Sequence, residues 1–245
     1  MQPVSSNEIK KVKSLSQKKF RDSTGLFVVE GEKMVAEALG SGFEIVRTYR
    51  ISETGESAMA RMTSLSTPSP VLAVVRKPQE KTADEIPASG LCLGLDSLRD
   101  PGNLGTVMRI ADWFGIKNVY ATHDTVDLYN PKVVQATMGA IFRVGFHYCD
   151  LKETAKRFLD AGGKVYGTFL DGRDIYSSEL STGDDSPVML VIGNESNGIS
   201  DGVASVVSER LFIPPWPAGN SGPESLNAAV AAAIASAEFR RRTKR

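Results

Sequence analysis

The chain has only two cysteines and two histidines in 245 residues, too few for a disulfide framework or a thiol-rich metal centre. Neither Cys92 nor Cys149 has a second thiol or a histidine at ligand spacing, so a buried apolar role is the reading for both and no metal is expected. Long apolar runs are missing too. No stretch approaches the roughly 20 residues that a membrane span needs, and no membrane partner is expected. The opening residues, Met1-Gln2-Pro3-Val4-Ser5-Ser6-Asn7, lack the apolar core of a secretory signal, which points to a cytoplasmic location. An excess of either charge is also absent. Basic and acidic residues both total 29, so net charge gives no argument for a polyanionic partner.

The rest of the composition is ordinary for a globular protein, and the length suits a small domain followed by one of about 150 residues. Charge is uneven along the chain. Lys10, Lys11, Lys13, Lys18, Lys19 and Arg21 cluster near one end, and Arg240-Arg241-Arg242-Thr243-Lys244-Arg245 close the other. Each cluster reads either as a solvated face or as a contact to RNA.

Ile9, Val12 and Leu15 recur at helical spacing, giving a short amphipathic helix within Asn7 to Gln17. Leu26 to Glu30 reads as a strand, and Gly31 opens a helix carrying Met34, Val35, Ala38 and Leu39. Strands at Glu44 to Tyr49 and Val71 to Val75, with a helix around Ser57 to Leu65 between them, complete a small α/β unit. A polar, proline-bracketed stretch from Lys77 to Gly90 suits a linker. Beyond it, apolar runs at Leu91 to Leu95, Asn118 to Ala121, Lys164 to Thr168, Val188 to Ile192 and Arg210 to Ile213 alternate with helical stretches, which argues for a parallel sheet covered by helices.

Three segments carry chemistry. In the first, a strand enters Asp96-Ser97-Leu98-Arg99-Asp100-Pro101-Gly102-Asn103 and then a helix. Asp100-Pro101-Gly102 is expected to turn the chain and Asn103 to cap the helix, with Arg109 two turns inside it. On pattern alone, Arg109 reads either as an amphipathic rim residue or as a functional cation. In the second, Val188 to Ile192 runs into Gly193-Asn194-Glu195-Ser196-Asn197-Gly198, whose glycines and asparagines admit left-handed backbone and close approach of a ligand. Glu195 thus sits at a strand's carboxyl end, where open α/β sheets bind ligands. In the third, Ile213-Pro214-Pro215-Trp216-Pro217 leads to Glu224-Ser225-Leu226-Asn227 and an alanine-rich helix. Ser225 is expected to cap that helix, whose free N–H groups can receive an anion.

Together, Asn103-x-Gly105-x-x-x-Arg109, Ile192-Gly193-Asn194-Glu195-x-x-Gly198 and Ile213-Pro214 to Ser225-Leu226-Asn227 resemble, in order and spacing, the three signature motifs of SpoU (TrmH-type) RNA ribose methyltransferases. Asn130 to Val144 is similar to the family's intermediate stretch, and Leu26 to Leu39 to its N-terminal substrate-binding domain. The resemblance implies an α/β, SPOUT-like fold: an N-terminal RNA substrate-binding domain over residues 1–78, a linker over 79–89, and a methyltransferase domain over 90–245 threaded as a trefoil knot. It implies S-adenosylmethionine as cofactor, held by Gly193, Ile213, Ser225 and Leu226, and catalysis through Arg109, Asn103, Glu195 and Asn227. It also implies a homodimer acting on a ribose 2′-hydroxyl in structured RNA. Ribosomal RNA is favoured; a transfer-RNA enzyme and a catalytically inactive RNA-binding relative are the alternatives.

An arginine is protonated at physiological pH, which favours Arg109 as phosphate anchor and alkoxide stabiliser over general base. Asn103, Glu195 and Asn227 then orient Arg109 and the ribose by hydrogen bonds. The third motif departs from the family, which has a methionine and a short glycine loop after Ile-Pro, where this chain has Pro215-Trp216-Pro217 and a longer loop. Trp216 either packs against the pocket or stacks on a base. Two other enzyme classes fit less well. The G-x-G-x-x-G of a dinucleotide enzyme is absent, and neither His123 nor His147 stands in a serine-hydrolase triad context.

Overall fold

A computed structural model describes residues 4–79, 86–217 and 225–243. In chain order, the elements begin with α1 (Ser6–Ser14), α2 (Lys18–Thr24), β1 (Leu26–Glu30), α3 (Glu32–Leu39), β2 (Ile45–Arg50), α4 (Ile51–Thr54), α5 (Glu56–Met62) and β3 (Val71–Arg76). There follow β4 (Gly90–Leu95), α6 (Pro101–Trp113), β5 (Asn118–Ala121), α7 (Pro131–Ala136), a 3-10 turn (Ala140–Phe142), β6 (Gly145–Tyr148) and α8 (Leu151–Asp160). β7 (Lys164–Asp174), β8 (Pro187–Ile192), α9 (Asp201–Ala204), β9 (Glu209–Phe212) and α10 (Ala228–Arg242) complete the described chain. Part of the expected linker, residues 80–85, and most of the third-motif loop, 218–224, lie outside the described residues.

The chain divides into two compact units: Met1–Gln79 with Asp127–Arg143, and Glu80–Val126 with Val144–Arg245. In the first, an antiparallel sheet of order β1-β3-β2 has Val28, Leu72 and Val74 packed with Ile9, Val12 and Leu15 from the α1 region and Met59 and Met62 of α5. Alternation along β1 sends Phe27 to the opposite face, where it meets Phe43 at 6.3 Å and Tyr129 at 4.8 Å. The segment Asp127–Arg143 is therefore core material for this unit, although it lies between β5 and β6 in sequence.

The second unit is a fully parallel sheet of order β6-β5-β4-β8-β7-β9. Its central strand β8 is buried at every position, as a strand covered on both faces must be. One face carries Cys92, Val165, Met189 and Val191 against Leu151, Ala155 and Phe158 of α8 and Val203 of α9. On the opposite face, Phe239 of α10 meets Tyr166 at 5.1 Å. The chain runs outward from β4 through β5 to β6, then continues on the other side of β4. The order thus reverses between β4 and β8, and at such a switch point the crevice at the strands' carboxyl ends is open to a ligand. Strand β6 has no counterpart in the sequence reading, and β7 runs six residues past the expected Thr168.

Candidate active site at the strands' carboxyl ends

The carboxyl ends of β4 and β8 are tied together. Asp96 donates its N–H to the Ile192 carbonyl at 3.0 Å, and Asp96 Oδ2 accepts the Ser200 N–H at 2.8 Å and the Ser200 hydroxyl at 2.7 Å. Between these anchors the loop after β8 closes on itself. Asn194 and Gly198 exchange backbone hydrogen bonds of 2.9 Å each, and Gly198 holds φ +67°. Asn194 Oδ1 accepts the N–H groups of Ser196 and Asn197, and its Nδ2 donates to the Ser97 carbonyl at 2.7 Å. Gly193 lies so near the returning chain that a Cβ there would stand 2.2 Å from the Gly198 carbonyl carbon. The glycine is thus required by close backbone approach.

Two caps differ from expectation. Asp100, not Asn103, is the N-cap of α6; it accepts the Asn103 N–H at 2.8 Å, with Pro101 in the first turn. A proline locked near helical φ marks N1, so the cap belongs one residue earlier and the Asn103 side chain is released. Asn227, not Ser225, caps α10 by accepting the N–H groups of Ala229 and Val230 at 3.0 and 3.2 Å. Those donors are consequently not free for an anion, as the sequence reading had them.

These caps fix a chain of hydrogen bonds across all three motifs. Asn227 Oδ1 faces backbone donors, so Nδ2 is the group left to donate, and it does so to Asn103 Oδ1 at 2.9 Å. Asn103 Nδ2 in turn donates to Glu195 Oε1 at 2.5 Å. The direction of each bond follows from the one before.

The chain borders a cavity of about 500 Å³ whose lining includes Gly193, Glu195, Ile213, Ser225 and Leu226. All four residues expected to hold a cofactor therefore share one cavity, with Glu195 beside them. Arg109 does not line that cavity; it is exposed on α6 on a stripe with Gly102, Thr106 and Trp113, and Trp113 is 85% exposed. Among the described residues it makes no hydrogen bond or ion pair, so the asparagine–glutamate chain does not orient it. Sequence reasoning missed Asp96, the buried knot of the site, although its place one residue past a strand's carboxyl end was a usable signal. It also missed Asp171, Asp201 and Arg210 of the cavity wall, because the extension of β7 that carries Asp171 has no apolar alternation.

Much of the basic clustering is structural. Arg21 is 2% exposed and bonds to Asp127 and to the carbonyls of Leu15 and Ser16. Arg240 donates to the Phe114 carbonyl, and Arg242 to Glu238 and to the carbonyls of Ile175, Tyr176 and Ser178. Lys244 and Arg245 lie outside the described residues. Burial pushes the Cys92 thiol up to about 12 and raises that of Cys149, which leaves both inert at neutral pH. His147 Nε2 lies 3.3 Å from Asn118 Oδ1, and His123 stacks on Tyr148. Trp216 is 90% exposed rather than packed into the cavity.

A parallel α/β sheet with a ligand cavity at the carboxyl ends of β7, β8 and β9, walled by a glycine turn and bordered by an Asn-Asn-Glu chain, defines a small-ligand-binding enzyme of the open-sheet class. The chain belongs to the SpoU rRNA methylase family: residues 90–237 match that family, and residues 6–85 match the MRM3-like substrate binding domain. It is 32% identical to the 23S rRNA (guanosine(2553)-2′-O)-methyltransferase RlmP of Bacillus subtilis, over 96% of both chains. It is 28% identical to the mitochondrial rRNA methyltransferase 3 of Mus musculus, over 92% of this chain and 69% of that one. Among solved structures, the AdoMet-bound rRNA methyltransferase of Sinorhizobium meliloti superposes with a TM-score of 0.87 at 28% identity, covering 100% of this chain and 99% of the other.

Proposed function

We propose that the protein transfers a methyl group from S-adenosylmethionine to a ribose 2′-hydroxyl of structured ribosomal RNA. The observation that carries this reading is the Asn227–Asn103–Glu195 chain at the rim of the cavity lined by Gly193, Ile213, Ser225 and Leu226. The volume is within the range of small-molecule sites, about 300–1,000 Å³. The glycine turn allows backbone approach, and the carboxylates in the wall suit a cationic ligand, so the residues present fit the cofactor. When bound, S-adenosylmethionine supplies an electrophilic methyl on a sulfonium.

The chain's own residues position the acceptor. Glu195 Oε1 is engaged by Asn103, and its other oxygen makes no bond among the described residues, leaving it to accept the ribose hydroxyl. Arg109, a guanidinium without a hydrogen bond or ion pair among the described residues, anchors an RNA phosphate and stabilises the developing alkoxide, while the proton passes to solvent. Ribosomal over transfer RNA is supported by the MRM3-like domain and by the names of the relatives above.

The working unit in this proposal is a cytoplasmic homodimer, with substrate-binding, linker and knotted methyltransferase regions at 1–78, 79–89 and 90–245 in sequence, the Asp127–Arg143 segment of the last packing with the first unit. A second copy is supported by α10, whose alanine-rich sequence is apolar around most of its girth, yet which leaves Val230, and Leu226 just before it, 45% exposed. A helix that is apolar all round is ordinarily covered on every side.

The test is transfer of radiolabelled methyl from S-adenosylmethionine to RNA from a strain lacking the gene, with the label mapped to a ribose. Calorimetry that finds NAD binding and no S-adenosylmethionine binding would sink the proposal.

A further inference from the structure

The cavity wall is unbalanced in charge. Among the described residues it carries three carboxylates, Asp171, Glu195 and Asp201, against one cation, Arg210. That cation is already engaged. Arg210 Nη2 lies 2.6 Å from Asp171 Oδ1, and the guanidinium stacks 3.8 Å from the Phe169 ring centroid. Glu195 receives only the neutral amide of Asn103. The Asp201 side chain makes no hydrogen bond or ion pair among the described residues. It is exposed, and its backbone follows Ser200, which is pinned through both its N–H and its hydroxyl to buried Asp96. Two carboxylates of the lining, Glu195 and Asp201, thus have no cationic partner among the described residues.

We infer that this excess makes the cavity discriminate by charge, favouring the sulfonium donor over the product left after transfer, with Asp201 setting the preference and Arg210 limiting it. The inference rests on the S-adenosylmethionine reading. In the transfer, the bond between methyl carbon and sulfur breaks with its electron pair left on sulfur, a carbon–oxygen bond forms at the ribose, and the hydroxyl proton goes to water. The ligand thereby loses one positive charge and becomes a thioether. The part of its attraction that depended on that charge vanishes at the moment the product must leave, so the wall promotes exchange of spent for fresh donor. Neither Asp201 nor Arg210 touches the hydrogen-bond chain, so both tune occupancy without entering the chemistry.

Calorimetry of the full-length protein with S-adenosylmethionine and with S-adenosylhomocysteine tests this. Asp201→Asn is expected to weaken the donor about fivefold while moving the product by less than about twofold, the effect of one unit charge a few ångströms away in a solvated site. Arg210→Met frees Asp171 and is expected to move the affinity ratio the opposite way. Raising the salt concentration should narrow the wild-type ratio. Equal weakening of both ligands in Asp201→Asn, or an unchanged ratio in both variants, overturns the inference while leaving the methyltransferase reading intact. A wild-type chain that binds neither ligand overturns both.

Discussion

Asn103 donates its side-chain amide to Glu195 Oε1 at 2.5 Å, joining residues 92 positions apart on two different strand-end segments. Because Asn103 also accepts from Asn227, one side chain holds the first, second and third motifs in mutual register. Asn103→Ala removes both bonds without touching the cavity lining. It is expected to lower kcat about 100-fold, as a misplacement near 1 Å does, with cofactor affinity changing far less. Single-turnover methyl transfer beside calorimetry checks this, and parallel loss of rate and affinity would make Asn103 a structural brace only.

Arg109 is exposed and makes no bond among the described residues, so its removal should leave the fold within about 0.5 kcal/mol of wild type, as for surface substitutions generally. Its proposed role concerns charge that develops on RNA. Arg109→Ala is expected to cost about 10²- to 10³-fold in kcat, the order seen when one stabilising donor is removed, with unchanged melting temperature and cofactor affinity. Equal loss of methylation and cofactor binding would move Arg109 to a structural role.

The strand frame was legible because strands buried on both faces write continuous apolar runs, as in Leu91 to Leu95 and Val188 to Ile192. Strand β6 was not legible, since Gly145-Phe146-His147-Tyr148 is a half-buried edge strand without such a run. The three motifs were readable as local turns; their joining through Asn103 was not, because two amides bonding across 124 positions leave no periodic trace. The caps went wrong for one shared reason. Ser, Asp and Asn are near-equivalent N-caps by type, and only the backbone decides which of several neighbours takes the place. The basic clusters misled similarly: Arg21 and Arg242 serve carbonyl oxygens, which sequence does not display as partners.

Gly193 offers a sharp steric test. An alanine there puts Cβ 2.2 Å from the Gly198 carbonyl carbon and 2.4 Å from the Ile199 nitrogen, backbone atoms that cannot swing aside. The turn must open, which breaks the Asn194–Gly198 bonds and displaces Glu195. Gly193→Ala is expected to abolish cofactor binding in calorimetry. Gly202→Ala, at a site with open space around its Cβ, should bind normally, and normal binding by both would show the turn to be adaptable.

Glu238 predicts a pH dependence at the C-terminal helix. Its carboxyl is held below the ordinary 4.5, chiefly by the hydrogen bond from Arg241 and further by Arg242, and the residue is 6% exposed. A depressed carboxylate binds fewer protons in the folded state than in the unfolded one, so its stabilisation is complete above about pH 4.5 and is lost as pH falls through the lower folded value. Glu238→Gln should therefore melt below wild type at neutral pH, with the gap closing under acid conditions. A gap that is constant across that range would mean that packing, not charge, is what the substitution removes.

Arg21 is the sharpest stability prediction. Its guanidinium is almost wholly buried, with Nη2 at 2.6 Å and Nε at 3.1 Å from Asp127 Oδ2, and with Nη1 donating to the Leu15 and Ser16 carbonyls at 2.8 Å each. Asp127 begins the segment that completes the first unit's core, so this pair fastens the later chain to the amino-terminal helices. Asp127→Ala leaves the buried cation without its counter-charge, for which the expected cost is about 3–5 kcal/mol. Arg21→Met, which keeps the apolar stem and removes the charge, should cost less in the Asp127→Ala background than in wild type, because the orphaned cation is then gone. Denaturant unfolding of the two single variants and the double variant measures that coupling. Strict additivity would show that the two residues stabilise the unit independently, and that the ion pair is not what fastens the segment.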